Sequence, residues 1–124
     1  MVSFTKSLAV IPLLCAIAAA QFGGWHDDDL TDSTRQVLLR AVGSESFYKA
    51  GVQRVCVSEI KSVKSQVVSG SNYKFQVTGC VVSDAHAIGV CTTASCPQPK
   101  KLEVEVFDQP WTQTLSVTGV SARA

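Results

Sequence analysis

The sequence lacks the excess of positive charge that is typical of nucleic-acid-binding proteins. Its 124 residues include 11 lysines and arginines against 10 acidic residues, and they contain no long basic run. Lys6 is the only charged side chain among the first 20 residues, so the rest of the chain holds ten bases and ten acids. A net charge near zero argues against nucleic acid as a partner.

The chain also lacks an apolar run long enough for a transmembrane helix, which needs about 20 residues. Its longest apolar run, from Leu8 to Ala20, follows a short segment with one positive charge and no acid. This pattern predicts a signal peptide over residues 1–20 that is cleaved, not retained as an anchor. We therefore expect a secreted, extracellular protein with no membrane partner. Residues 21–124 contain no repeat, low-complexity tract or linker, which predicts a single domain.

Cysteines form an even set once Cys15 is removed with the signal peptide. Two disulfides are therefore expected in a secreted chain of this size, among Cys56, Cys80, Cys91 and Cys96. Three pairings are possible. Cys56 and Cys80 are equidistant from Val68, the middle of a predicted hairpin, so we predict that they are bonded across it on the solvent side of the sheet. Cys91 and Cys96 would then close a tight loop.

Two metal sites are alternatives that the sequence leaves open. A zinc site could use Cys80, His86, Cys91 and Cys96, although secretion favours disulfides. The run His26-Asp27-Asp28-Asp29 could also bind a metal, but it fits solvated acid ahead of a helix N-terminus better. We expect no cofactor. We also expect no enzyme, because no pattern places His26 or His86 against an unpaired thiol.

The hydrophobic pattern predicts one amphipathic helix followed by four antiparallel strands, an α+β roll. The helix is expected from Thr31 to Phe47, with Asp29, Thr31 or Asp32 as its cap. A parity slip after Ser58, where Ile60 is apolar, predicts a β-bulge. The inward-facing strand residues are expected to be Val55, Val57, Phe75, Val77, Leu102, Val104, Val106, Leu115 and Val117.

Apolar residues occupy two predicted turns, where polar residues are the usual choice. Val67 and Val68 lie between the first two strands, and Pro110-Trp111 lies between the last two. We interpret both turns as parts of a docking surface. The alternatives are an ordinary hairpin turn supplied by Ser69 and Gly70, and core packing for Trp111.

These residues resemble the cystatins, which are inhibitors of papain-like cysteine proteases. The resemblance is carried by a glycine near the mature N-terminus, by Q-x-V-x-G at residues 66–70 and by Pro110-Trp111. It extends to the secreted cystatin-like inhibitors of plant-pathogenic oomycetes over residues 66–80 and 111–115. The implied fold is a cystatin-like roll, in which a four- to five-stranded antiparallel sheet wraps the helix.

The resemblance implies a wedge that plugs the protease active-site cleft. Its parts would be an N-terminal trunk and two hairpin loops, formed by Phe22, Gly23, Gly24, Gln66, Val67, Val68, Ser69, Gly70, Pro110 and Trp111. Either Gly23 or Gly24 could be the trunk glycine. Inhibition is expected to be reversible, competitive and non-covalent, by a monomer acting on papain-like proteases, with a host plant apoplast implied by the oomycete resemblance. The alternative is a non-inhibitory secreted binding module with the same fold.

Overall fold

A computed structural model describes residues 24–123, in which one α-helix packs against a six-stranded sheet. The helix α1 spans Asp32–Val42. The strands are β1 (His26–Asp28), β2 (Arg54–Val68), β3 (Gly70–Val82), β4 (Gly89–Val90), β5 (Lys100–Gln109) and β6 (Thr114–Ala122). Neighbouring strands follow the order β1-β2-β3-β5-β6 in antiparallel pairs, and β4 pairs with β2 in parallel. The predicted α+β roll is confirmed.

Some sequence expectations concern residues that the structure does not describe. The signal peptide over residues 1–20 and the trunk residues Phe22 and Gly23 lie outside the described residues. Within residues 24–123, no helix has both the length and the apolar character that a membrane crossing requires.

Helix α1 begins at a capping box formed by two threonines. Thr34 N donates to Thr31 Oγ1 at 3.3 Å, and Thr31 N donates to Thr34 Oγ1 at 2.8 Å. Thr31 is therefore the cap among the three candidates. Each of these bonds satisfies a backbone N–H group, and Thr34 N is one of the N–H groups that the first turn leaves without a helical partner.

The helix ends earlier than predicted, at Val42 and not at Phe47. Gly43 is its C-terminal cap, and Ser44 is extended, so the backbone leaves the helix there. Phe47 and Tyr48 still pack against the core, from a 3₁₀ turn at Glu45–Phe47 and the residue after it. Phe47 therefore belongs to the surroundings of the core without belonging to the helix.

The core lies between α1 and the inner face of the sheet. All nine strand residues that were predicted to face inward are at most 7% exposed, and Leu38, Ala41 and Val42 of the helix are fully buried against them. The predicted bulge is confirmed and is in fact double, with register shifts between Val57 and Glu59 and between Ile60 and Ser62. Both shifts lie in β2.

The predicted disulfide pairing is wrong. Cys56 and Cys80 are direct cross-strand partners, as expected, but the bonds join Cys56 to Cys91 and Cys80 to Cys96. The reason is the path of the connection after β3. Strand β4 runs parallel to β2 with Gly89 opposite Cys56, and Cys91 N donates to Val57 O at 2.9 Å. This connection covers the face that was expected to be solvent-exposed, and Cys56 is 1% exposed.

Two short strands were not predicted at all. The acidic run contributes β1, an edge strand with exposed side chains whose His26 pairs with Ser65 of β2. Strand β4 has two residues. Both lie along the outer edge of β2, at its two ends.

Candidate functional site

The turn between β2 and β3 is tight and presents valine to solvent. Val67 pairs with Ser71 and Val68 pairs with Gly70, which leaves Ser69 at the tip. Val67 is 46% exposed, and Val68 is half-buried. We call residues 66–70 the first loop.

Gly70 is required by the backbone of the first loop. Its φ of +116° is one that other residues rarely adopt. A Cβ there would lie 2.8 Å from Asp108 O and 3.2 Å from Phe107 Cε1. The glycine therefore permits both the turn and the close approach of β5.

A side-chain hydrogen bond closes the base of the first loop. Gln66 and Asn72 are direct cross-strand partners, and Asn72 Nδ2 donates to Gln66 Oε1 at 3.1 Å. This bond joins β2 to β3 directly below the turn.

The turn between β5 and β6 is a 3₁₀ turn over Pro110–Thr112 that ends at Gln113 in the left-handed conformation, with φ 56°. Trp111 is 69% exposed, so the alternative of core packing is wrong for this residue. Proline suits the first position of the turn because it fixes φ and needs no hydrogen-bond acceptor. We call residues 110–113 the second loop.

The two loops lie side by side at one end of the sheet. Strands β3 and β5 are neighbours, and their last described pair is Ser71 with Asp108. Beyond that pair, Gln109 Nε2 donates to Ser69 O at 2.7 Å. The sheet therefore brings together the two turns that the sequence predicted as a docking surface.

The described N-terminus runs toward the same end. Strand β1 is antiparallel to β2, with His26 opposite Ser65, so Trp25 and Gly24 precede it in the direction of the first loop. Gly24 is exposed, and Trp25 is 36% exposed with Lys74 Nζ 4.3 Å from its ring centroid. Phe22 and Gly23 lie outside the described residues.

The side chains of the first and second loops suit binding more than catalysis. Neither loop carries an acidic, basic or thiol side chain. Away from the loops, the sulfurs of Cys56, Cys80, Cys91 and Cys96 are all in disulfides, so they are not thiolate ligands. His86 is exposed in a 3₁₀ turn, and His26 Nε2 lies 3.2 Å from Ser65 Oγ. The exposed valine and tryptophan side chains suit binding to another protein.

No protein-family model matches the chain. Over 127 aligned residues, however, it is 39% identical to the cystatin-like cysteine protease inhibitor EPIC4 of Phytophthora infestans, and the alignment covers 94% of this chain and 72% of that protein. The chain belongs to the cystatin family. A second relative, cystatin-1 of Ornithodoros moubata, is 28% identical over 124 residues, which are 91% of this chain and 94% of that cystatin.

Solved cystatins share the fold. The salivary cystatin of the soft tick Ornithodoros moubata superposes with a TM-score of 0.54 at 24% identity, covering 82% of this chain and 98% of the tick protein. Mialostatin, a gut cystatin of the hard tick Ixodes ricinus, gives 0.51 at 20% identity, with 82% and 98% covered. The cystatin-like roll implied by the sequence resemblance is thus confirmed.

Sequence reasoning missed two residues of the site in this cystatin. Gln109 gave no signal, because a glutamine before proline is unremarkable without knowing that the first loop lies beside it. Trp25 did carry a signal, since it is a large side chain directly before the acidic run at residues 26–29, which was expected to be solvated. Its partner Lys74 lies on a different strand and could not be inferred.

Proposed function

We propose that this cystatin is a secreted inhibitor of papain-like cysteine proteases that acts reversibly, competitively and without a covalent step. One observation carries the proposal: the first and second loops lie side by side, with Val67 46% and Trp111 69% exposed. An uncovered tryptophan and valine at one end of a rigid sheet are suited to burial in a cleft. The name of the relative EPIC4, a cysteine protease inhibitor, supports the class of partner.

We assign a contact with the protease to each part of the end of the sheet that carries the two loops. Val67 and Val68 enter the cleft beside the catalytic cysteine, and Gln66, Ser69 and Gly70 hold the turn. Pro110 and Trp111 cover the primed side. The trunk occupies the unprimed side, with Phe22 in an apolar subsite and Gly23 or Gly24 allowing close backbone approach.

The tight turn explains why the first loop would block the protease without being cut. A substrate must be extended through the cleft, whereas Val68 and Gly70 are already paired with each other across Ser69. This pairing holds the backbone in a blunt shape. Because that shape is formed before binding, association has less ordering entropy to overcome.

The proposed setting is extracellular. Residues 21–124 form the mature domain after removal of the signal peptide, and this domain acts as a monomer. The apoplast of a host plant is our proposal for where the target protease is met, and it follows from the oomycete resemblance of the sequence.

Titration of papain with the oxidised mature protein tests the proposal. Stoichiometric, reversible inhibition is expected, and it should be lost when Val67→Asp is combined with Trp111→Ala. Val90→Asp is the matched control, because Val90 is 67% exposed on β4, away from both loops. Inhibition that survives the double substitution would require a different interface. Absence of inhibition against papain and against plant papain-like proteases would favour the non-inhibitory binding module.

A further inference from the structure

Gln109, the last residue of β5, forms side-chain hydrogen bonds with both loops. Its Nε2 donates to Ser69 O at 2.7 Å, at the tip of the first loop. Its Oε1 accepts from Thr112 Oγ1 at 2.6 Å, in the 3₁₀ turn of the second loop. One half-buried amide group therefore bridges the two turns.

This bridge lies where the sheet no longer holds the loops together. Within the described residues, the ladder between β3 and β5 ends at Ser71 and Asp108. Ser69 and Thr112, the partners of Gln109, are both exposed beyond that point. Without the bridge, each turn would keep its own hairpin but could shift relative to the other.

We propose that Gln109 is a positioning residue that fixes the spacing between the first and second loops, so that both enter a protease cleft as one pre-formed surface. This role rests on the proposed function. Gln109 acts through the loops and not through its own contact with the protease, because its amide nitrogen and oxygen are already engaged within the cystatin. Fixing two turns before association reduces the entropy that binding must overcome.

Gln109→Met tests the role because it keeps the length of the side chain and removes both hydrogen bonds. The inhibition constant against papain is expected to weaken by about tenfold, the scale of one or two side chains that must be ordered on binding. Gln36→Met, on an exposed helix position, is the matched control and should leave the constant unchanged. If Gln109→Met did not weaken inhibition, the proposal would be overturned.

A second background separates positioning from a general structural effect. With Trp111→Ala, the second loop contributes little to binding, so its spacing from the first loop should no longer matter. Gln109→Met is then expected to weaken inhibition by less than about twofold. An equal loss in both backgrounds would overturn the proposal, since it would mean that Gln109 contacts the protease or supports the fold.

Two further substitutions separate the hydrogen bonds. Gln109→Glu keeps an acceptor for Thr112 but places oxygen against Ser69 O, so it should weaken inhibition at least as much as Gln109→Met. Thr112→Val keeps the bond to Ser69 and removes the bond to Gln109 Oε1, together with the contacts of Thr112 Oγ1 with Gln109 O and Thr114 Oγ1, all of which lie within the second hairpin. It should have the smaller effect. If Thr112→Val weakened inhibition more than Gln109→Glu did, the Ser69 bond would not be the one that sets the spacing.

A measurement without any protease keeps this proposal separate from the proposed function. Backbone ¹⁵N order parameters of residues 68–71 and 111–113 should fall together in Gln109→Met and stay constant in Gln36→Met. If the wild-type protein inhibited no protease, the proposed function would fail while these order parameters still tested the bridge. Unchanged order parameters in Gln109→Met would overturn the positioning role.

Discussion

Lys74 Nζ lies 4.3 Å from the centroid of the Trp25 ring and 3.7 Å from Glu105 Oε1. The tryptophan just before β1 is thereby attached to β3, across the intervening β2. We predict that Trp25→Ala and Lys74→Ala are coupled in their effects on the free energy of unfolding by about 0.5 to 1 kcal/mol, the scale of a partly exposed cation–π contact. Urea denaturation of the two single variants and the double variant measures the coupling. Additive effects would contradict a direct interaction.

Trp111→Ala should affect binding and leave the fold intact. A tryptophan that is 69% exposed in the free protein contributes little to its own core, whereas the proposed burial in a protease cleft would make it a hot spot. We expect a loss of about 2 to 4 kcal/mol in binding to papain. The urea midpoint should stay constant, as in Val90→Ala. A large drop in the midpoint would instead indicate a structural role for the indole.

Substitution of Gly70 should destabilise the protein more than substitution of Gly51. Both glycines have positive φ, but a Cβ at Gly70 would lie 2.8 Å from Asp108 O, whereas Gly51 has open space around it. We expect Gly51→Ala to cost about 1 kcal/mol from backbone strain and Gly70→Ala to cost about 2 to 4 kcal/mol. Denaturant titration of the two variants gives the difference. Equal costs would show that β5 can move away from the turn.

Removal of either disulfide should lower stability without lowering inhibition by the folded molecule. Both bridges lie near the start of β2 and the end of β3, away from the loops. The bond between Cys56 and Cys91 closes a separation of 35 residues, against 16 for Cys80 and Cys96. Each loss should lower the free energy of unfolding by about 3 to 4 kcal/mol, and the loss of the longer loop should cost slightly more. The comparison uses thermal unfolding of two variants, in each of which both cysteines of one disulfide are replaced by serine. Peptide mapping under non-reducing conditions checks the pairing itself.

Alkaline conditions should destabilise the fold through Tyr48. Burial raises the pKa of Tyr48, against the opposing effects of its hydrogen bond with Val55 and of nearby Arg54. The folded state therefore retains this proton at a pH where the unfolded state loses it. The stabilising contribution is complete below the unfolded value of 10.0 and is lost as the pH rises through the raised folded pKa.

Tyr48→Phe tests this alkaline loss. The variant should show a smaller decline in the free energy of unfolding between about pH 8 and about pH 11. It should also lose about 1 to 2 kcal/mol at the lower pH, because Val42 O no longer accepts the hydroxyl hydrogen bond of 2.9 Å. Burial raises the pKa of Tyr73 as well, so a part of the decline should persist. An identical decline in both proteins would exclude Tyr48 as its source.

Alternation along the strands predicted nine buried residues of the core, because period-two patterning assigns each residue of a regular strand to one face. It missed the buried Val63, which follows both bulges of β2. It was not sufficient for the disulfides. Cys56 and Cys80 are opposite each other, although the tip of the hairpin is Ser69 and not Val68, because the two bulges in β2 offset the register. The path of the chain through β4 decided which sulfurs bond, and this strand of two residues, Gly89–Val90, has no detectable sequence pattern.

In the candidate site, too, some residues could be predicted from the sequence and some contacts could not. Val67 and Trp111 could be predicted as surface residues because an apolar residue at a turn has no core to enter. The bond from Gln109 to Ser69 depends on two segments 40 residues apart arriving at adjacent positions, and only the tertiary structure supplies that. The same holds for Trp25 and Lys74.

The short strands that the sequence did not reveal have a consequence for self-association. A hairpin as long as β2 and β3 would, with an open edge, be a template onto which a strand of another molecule could add. Strand β1 covers β2 at residues 63–65, and β4 covers it at Cys56 and Val57, while the intervening part carries both bulges and the exposed Lys61. At the opposite edge, Lys49 N donates to Val117 O of β6. The long edge of β2 therefore offers neighbouring molecules little flat backbone for the edge-to-edge pairing from which fibrils grow.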